Sequence, residues 1–255
     1  KTMELSFEEG EKILRLAKID DVPLMHGSCV ELTDDKNLPE SEGADFIIRE
    51  AMKDDSRALY VCALGGVTDI AIAYLKEPKI ADKITLIWIG GGAYPHGEIE
   101  YNVCQDIMAA NILFGSNIPI WQIPNTVYRT MKVSFADLQR RVAPCGELGK
   151  YLYEQLLEFC ANVKNPDGTQ AEAWSLGDSP TVGVLLDENQ DRYHEQLAPL
   201  VNPDATYAQR KDARKIRNGF RNVDSELTKR MNALLKLKTI PAIVEKTDLI
   251  TAMID

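Results

Sequence analysis

The stretch 83–114, KITLIWIGGGAYPHGEIEYNVCQDIMAANILF, decides the fold. Its opening, ITLIWI, is continuously apolar rather than alternating, the pattern of a strand buried on both faces. A run of glycines, Gly90 to Gly92, ends it. A helix follows in DIMAANILFGS, where the short carboxylate of Asp106 is placed to accept from the exposed amides of the first turn. Between strand and helix stand Glu100 and Asn102, which this reading does not need for capping. A carboxylate accepts from a hydroxyl, and a carboxamide both accepts and donates, so the pair is equipped to grip a sugar. Paired acids would also suit a glycosidase, but the spacing places no second acid nearby.

The same rhythm extends in both directions. RALYVCALGG upstream is an apolar strand ending in glycines, and VTDIAIAYLKEP is a helix stopped near a proline. IPIWQIP downstream is a further strand. Nearer the start, LSFEEGEKILRLAK reads as an amphipathic helix with Ser6 and Glu9 at capping-box spacing, VPLMHG as a short strand and GADFIIREAMK as a helix. Continuously apolar strands alternating with helices predict an α/β fold: an open, mostly parallel sheet with helices on both faces and a Rossmann-like core. The remainder reads as more helical, through SFADLQRRV, GELGKYLYEQLLEFCANV, SPTVGVLLDE opening at Pro180, and VDSELTKRMNALLKL. With no internal repeat and no linker, residues 1–255 read as a single domain.

In an open parallel sheet, ligands bind at the carboxyl ends of the strands. Those ends carry LGGVTD, GGGAYPHGEIEYN and PNTVYR, so Thr68, Glu100 and Asn102 are expected to share one crevice. In AWSLGDSPTVGVLLDE, Asp178 reads either as an N-cap or as an oxygen ligand for a hard cation such as calcium.

Composition narrows the function. A net charge of −10 argues against a nucleic-acid partner. The basic stretch QRKDARKIRNGFR reads as a solvated helix face or turn. No apolar run is long enough to span a bilayer, and five scattered cysteines without a CxxC pair read as reduced thiols, with Cys62 as core filler, so a cytoplasmic protein is expected. A dinucleotide-binding oxidoreductase would need a glycine fingerprint that is absent.

These motifs resemble the nucleoside hydrolases, the inosine-uridine-preferring N-ribohydrolase family. Its members read roughly G-P-L-T-N-[IL]-A, then a strand with M-G-G, then E-[FY]-N-x-x-x-D-P-E-A-A. Here the matching positions are Thr68-Asp69-Ile70-Ala71, Gly90 to Gly92, Glu100-Tyr101-Asn102 and Asp106. GDSPTVGVLL is similar to the family's late H-D-P-L-A-V, and IRNGFRNVDSELTKRMNALL to its closing strand and helix; the likeness runs from about Ser6 to Leu235. The resemblance implies hydrolysis of the N-glycosidic bond of a ribonucleoside or related ribosyl compound, in purine or pyrimidine salvage, by homodimers or homotetramers. It implies that Glu100 and Asn102 hold ribose hydroxyls. It also implies that Thr68, through its backbone carbonyl, and Asp178 bind a calcium ion that orients the attacking water, and that an Asp takes the proton.

Three departures mark a divergent branch. The family's opening strand, with D-x-D-x-x-x-D-D for the base and most metal ligands, has no counterpart here, so the chain is expected to be part of a longer protein. That strand belongs inside the sheet, and its loss would expose ladder groups. The loop between Gly92 and Glu100 is short, and the family's ribose-binding Asn that precedes the E-F-N block has no match in it. No His adjoins Asp178, which aligns only with an insertion before Pro180, and this leaves His96, Trp174 and Tyr128 as candidate partners of the leaving group. His26 takes no substrate role, because the family's H-G-x-x-G segment falls on LPESEGADF; His194 reads as exposed. A second reading is a non-catalytic ribosyl-ligand binder. It is favoured by the missing acidic motif and the altered GDSP, and opposed by Thr68, Glu100 and Asn102, for which the sequence suggests no structural need.

Overall fold

A computed structural model describes residues 2–163, 169–186, 193–211, 213–219 and 250–252. In chain order the elements are α1 (Thr2–Ala17), α2 (Glu42–Ala51), β1 (Leu59–Ala63), α3 (Thr68–Lys76), β2 (Ile84–Ile89), α4 (Tyr101–Gln105), α5 (Ile107–Gly115), β3 (Ile120–Ile123) and α6 (Asn125–Tyr128). They continue with β4 (Lys132–Ser134), α7 (Phe135–Arg141), α8 (Gly146–Ala161), β5 (Ala173–Ser175), α9 (Ser179–Leu186), β6 (Tyr193–Leu197), β7 (Leu200–Val201), β8 (Tyr207–Ala208), β9 (Lys215–Gly219) and β10 (Ile250–Ala252).

The expected α/β architecture is present. A six-stranded sheet runs in the order β10-β1-β2-β3-β9-β6. All neighbours are parallel except β6, which lies antiparallel to β9 at one edge. The register sets Val61 beside Leu86 and Trp88 beside Gln122. One face is covered by α2, α3 and α5, whose Ile47, Ile70, Ile72, Leu113 and Phe114 pack with Leu86 and Trp88 into the main core. A smaller cluster on Cys62, Ile87, Ile89 and Ile123 is covered by Val184 and Leu185 of α9. The continuously apolar strands are therefore buried on both sides, as their sequence requires.

Several local expectations need correction. Helix α1 already includes Ser6, so Ser6 is not its N-cap. Residues 22–27, VPLMHG, form no strand, and no described strand pairs with them. The basic stretch is not a solvated helix face or turn throughout: Lys215–Gly219 are strand β9 between β3 and β6. Arg217 fits there because its guanidinium lies over the Trp121 ring, 5.2 Å from the centroid, while Ile216 is buried on the opposite face. Loss of the family's opening strand is expected to expose ladder groups, but β1 is paired by β2 on one side and by β10 on the other, with Val61 beside Ile250 and Ala63 beside Ala252. The late helix read in VDSELTKRMNALLKL lies outside the described residues.

Candidate active site

The carboxyl ends of β1, β2 and β3 converge with the first turns of α3, α4, α5 and α6. The glycine turn after β2 is set by close approach. Gly91 has φ +80°, and a Cβ there would lie 2.1 Å from the Tyr207 hydroxyl. The Gln122 amide donates to the Gly90 carbonyl at 2.9 Å and to the Tyr207 oxygen at 3.0 Å. Burial pushes the Tyr207 phenol up to about 12. The polar Gln122 inside the apolar strand was the one sequence signal for this cluster.

Glu100 is buried at 2% exposure and is the N-cap of α4, which corrects the expectation that capping does not need it. One carboxylate oxygen accepts from the Gly91 amide at 2.7 Å and the Val103 amide at 2.9 Å. The other accepts from the Asn102 amide at 3.1 Å and the Tyr128 hydroxyl at 2.8 Å. Asn102 donates its side-chain amide to the carbonyls of Leu64 at 3.1 Å and Ile89 at 2.8 Å, tying the ends of β1 and β2 together. Both residues therefore have a structural role that their spacing did not reveal.

Asp106 caps α5 as the sequence predicts, accepting from the Ala109 amide at 2.8 Å. Its second oxygen accepts from the Thr68 hydroxyl and the Leu32 amide, each at 2.8 Å. Thr68 is the first residue of α3 and is buried. Beside it, the sequence reading missed Asp69. This residue is fully buried and accepts from the Ser28 amide at 2.7 Å and the Ser41 hydroxyl at 2.5 Å. Its Oδ2 has no partner, and burial raises its carboxyl above the usual range. The only hint was a carboxylate at the head of the apolar run TDIAIAY.

Tyr128, at the end of α6, joins this floor to the segment carrying Asp178. Its phenol donates to Glu100, and its carbonyl accepts from the Ser175 hydroxyl at 2.7 Å. A Cβ on Gly177 would come within 3.2 Å of the Tyr128 ring. Burial, then the bond to Glu100, raises the phenol, and the charge of Asp178 acts in the same direction. Asp178 precedes α9. Its carbonyl, not its carboxylate, accepts from the Thr181 amide at 3.2 Å and hydroxyl at 2.7 Å, so the N-cap reading of its side chain is not what forms. The Asp178 residue is exposed, yet the protein packed on one side of its carboxyl raises it.

The other two candidates sit elsewhere. His96 is exposed in the turn after Ala93, where its carbonyl accepts from the Tyr207 amide at 2.8 Å. Trp174 lies in β5, paired with Val133 and edge-on to Phe159 at 5.4 Å between centroids. Asn125 donates to Glu98, and its buried side-chain oxygen has no partner. Among the described residues, no group of three or more His, Cys, Asp or Glu side chains is placed to hold a metal.

Comparison with known proteins agrees with this architecture. The putative pyrimidine-specific ribonucleoside hydrolase RihB of Shigella dysenteriae is 29% identical over 177 residues, covering 63% of this chain and 61% of that protein. The pyrimidine-specific ribonucleoside hydrolase RihA of Salmonella schwarzengrund is 28% identical over 152 residues, covering 58% and 49%. The chain thus spans about half to three fifths of the length of these curated relatives. Among solved structures, the plant nucleoside hydrolase PpNRh1 superposes with a TM-score of 0.71 at 18% identity, covering 92% of this chain and 86% of the other. The purine-preferring ribonucleoside hydrolase of Gardnerella vaginalis gives 0.68 at 17%, covering 91% and 84%; at these identities the likeness shows the fold. The sequence model described as inosine-uridine preferring nucleoside hydrolase matches residues 6–237, and the chain belongs to that family.

Proposed function

We propose that the protein hydrolyses the N-glycosidic bond of a ribonucleoside or a related ribosyl compound. The observation that carries this reading is the family match over residues 6–237, with Glu100, Asn102, Tyr128 and Asp178 gathered at the carboxyl end of its sheet. In this reading Glu100 is the acceptor for a sugar hydroxyl, and Asp178 supplies a carboxylate that no described donor neutralises. Tyr128 holds the two segments in register. The relatives' names point to pyrimidine nucleosides as the first substrates to try. Assembly into homodimers or homotetramers and a cytoplasmic place in nucleoside salvage belong to the same proposal.

The family binds a metal. Calcium takes about six to eight oxygen ligands. The described residues offer the Asp178 carboxylate, the Thr68 carbonyl and the unpartnered Oδ2 of Asp69, while the carboxylates of Glu100 and Asp106 are committed to protein donors. These residues alone do not fit a calcium site, and no step is assigned to the ion. A calcium-assisted reaction needs carboxylates beyond those of the described residues, of the kind that the family's opening motif supplies. His96 and Trp174 are not placed to assist a leaving group at this cluster: one is exposed on the glycine loop, and the other packs on Phe159.

The test is ribose release from a nucleoside panel by the natural full-length protein, with and without a chelator. Chelator-sensitive release supports the calcium-dependent hydrolase. The absence of release from every nucleoside, with ribosyl compounds still bound, supports the second reading, a non-catalytic ribosyl-ligand binder. The protein donors on Glu100 give it a structural need, which removes one objection to that second reading.

A further inference from the structure

A carboxylate offers about four lone-pair sites. In Glu100 all are used: by the amides of Gly91, Asn102 and Val103, and by the phenol of Tyr128. The three amides belong to the glycine turn and the first turn of α4, so they cannot leave without unmaking both. The phenol is the one donor on a side chain, and Tyr128 is only half-buried. Its ring rests on Gly177, where the missing side chain leaves room.

We propose that the Tyr128 phenol occupies the place on Glu100 that a sugar hydroxyl takes, so that binding of the ligand and withdrawal of Tyr128 are a single exchange. This rests on the ribosyl reading of the site. The exchange conserves hydrogen bonds, because one hydroxyl donor replaces another on the same carboxylate oxygen. It also makes Tyr128 a specificity residue. A ligand without a hydroxyl at that position cannot repay the bond it displaces, and Glu100 is left buried and one donor short. A charge-assisted bond of this kind is strong, so the phenol lowers affinity for every ligand that must displace it.

The experiment is an NMR titration of the full-length protein with D-ribose, which is a product-like probe and is not consumed. The comparison is between the native protein and Tyr128→Phe, which keeps the ring on Gly177 and removes the donor. Thermal melting checks that the variant folds, and the native Tyr128 Cζ resonance reports whether its phenol leaves a carboxylate on binding. We expect Tyr128→Phe to bind D-ribose about tenfold more tightly, and the native Tyr128 resonance to move on saturation. Equal or weaker binding by the variant overturns the exchange while leaving the ribosyl reading intact. An unmoved Tyr128 resonance in a ribose-bound native protein overturns it as well. Absence of binding by both proteins overturns the exchange together with the reading it rests on.

Discussion

Replacing Glu100 with Gln separates a residue that only grips a ligand from one that holds the crevice together. Gln keeps the length of the side chain and exchanges one acceptor oxygen for a donor amide. If that amide faces Gly91 and Val103, two backbone donors lose their acceptor. If it faces the other way, the Tyr128 hydroxyl can rotate and accept, but the Asn102 amide at the head of α4 is orphaned. The second orientation is the cheaper. It leaves one buried donor unsatisfied, at about 1–3 kcal/mol, and weakens the remaining bonds by removing the charge. We expect a total loss of about 2–4 kcal/mol, a sizeable part of the 5–15 kcal/mol that a domain typically has. For a chain of this size that is a fall in Tm of about 5–15 °C, read by circular dichroism without any ligand. A Tm unchanged within error would refute the reasoning, because the four bonds would then contribute nothing to the fold.

Asp69 gives a pH-dependent test. Burial raises its folded-state pKa above the unfolded value, so the folded chain holds this proton more tightly. The stability it contributes is greatest below the unfolded pKa and falls as pH rises through the folded one. Asp69→Asn removes that slope, so the Tm difference, variant minus native, becomes more positive from pH 4 to pH 7; a difference independent of pH contradicts this. Gly91→Ala forces a side chain into φ +80° and against the Tyr207 hydroxyl, 2.1 Å from the new Cβ. It lowers stability by more than about 2 kcal/mol, measured by denaturant unfolding. Asp106→Asn retains the α5 cap through one oxygen but turns an amide towards the Leu32 N–H. Hydrogen exchange at Leu32 rises at least tenfold, while the amides of β2 keep their protection.

The parts of this fold that were legible in the sequence are those decided by near neighbours. The runs at 59–63, 84–89 and 120–123 are apolar throughout, and only strands buried on both faces need that. Asp106 announced itself because Asp is a common N-cap and the apolar run after it is helical in period. Glu100 did not, for two reasons. Glu is not among the preferred N-cap residues, and its strongest partner is the amide of Gly91, nine residues upstream across the glycine turn. Strand β9 was hidden by its charges. Arg217 lies in the sheet with its guanidinium over the ring of Trp121, which is far away in sequence. The burial of Asp69 was equally non-local, since its donors are Ser28 and Ser41 in the loop before α2 and at its N-cap.

The acids of this crevice divide by the donors they accept from. Asp69, Glu100 and Asp106 are buried and take backbone amides at the carboxyl end of the sheet, so they fix where α2, α3, α4, α5 and the loop through Leu32 meet. A carboxylate whose lone pairs are all taken, as in Glu100, is a poor base, because freeing one costs the bond it breaks, whereas Asp69 keeps its Oδ2 without a partner. At Asp178 no donor among the described residues engages the carboxylate, and burial raises its pKa as it does that of Asp69. Among the described acids of this crevice, Asp178 and the Oδ2 of Asp69 are the ones left open to a proton or a metal in the proposed reaction. The sequence motif E-Y-N-x-x-x-D, which suggested a set of ligand-binding residues, is in this chain first a device for closing two strand ends and two helix starts. On the proposed reading, sugar recognition at Glu100 proceeds by exchange with Tyr128 rather than by filling an empty acceptor, and a comparison of Tyr128→Phe with Glu100→Gln tells the two apart. Only the first is expected to leave the Tm within about 3 °C, through the loss of a single hydrogen bond of about 1 kcal/mol, while changing affinity for the sugar.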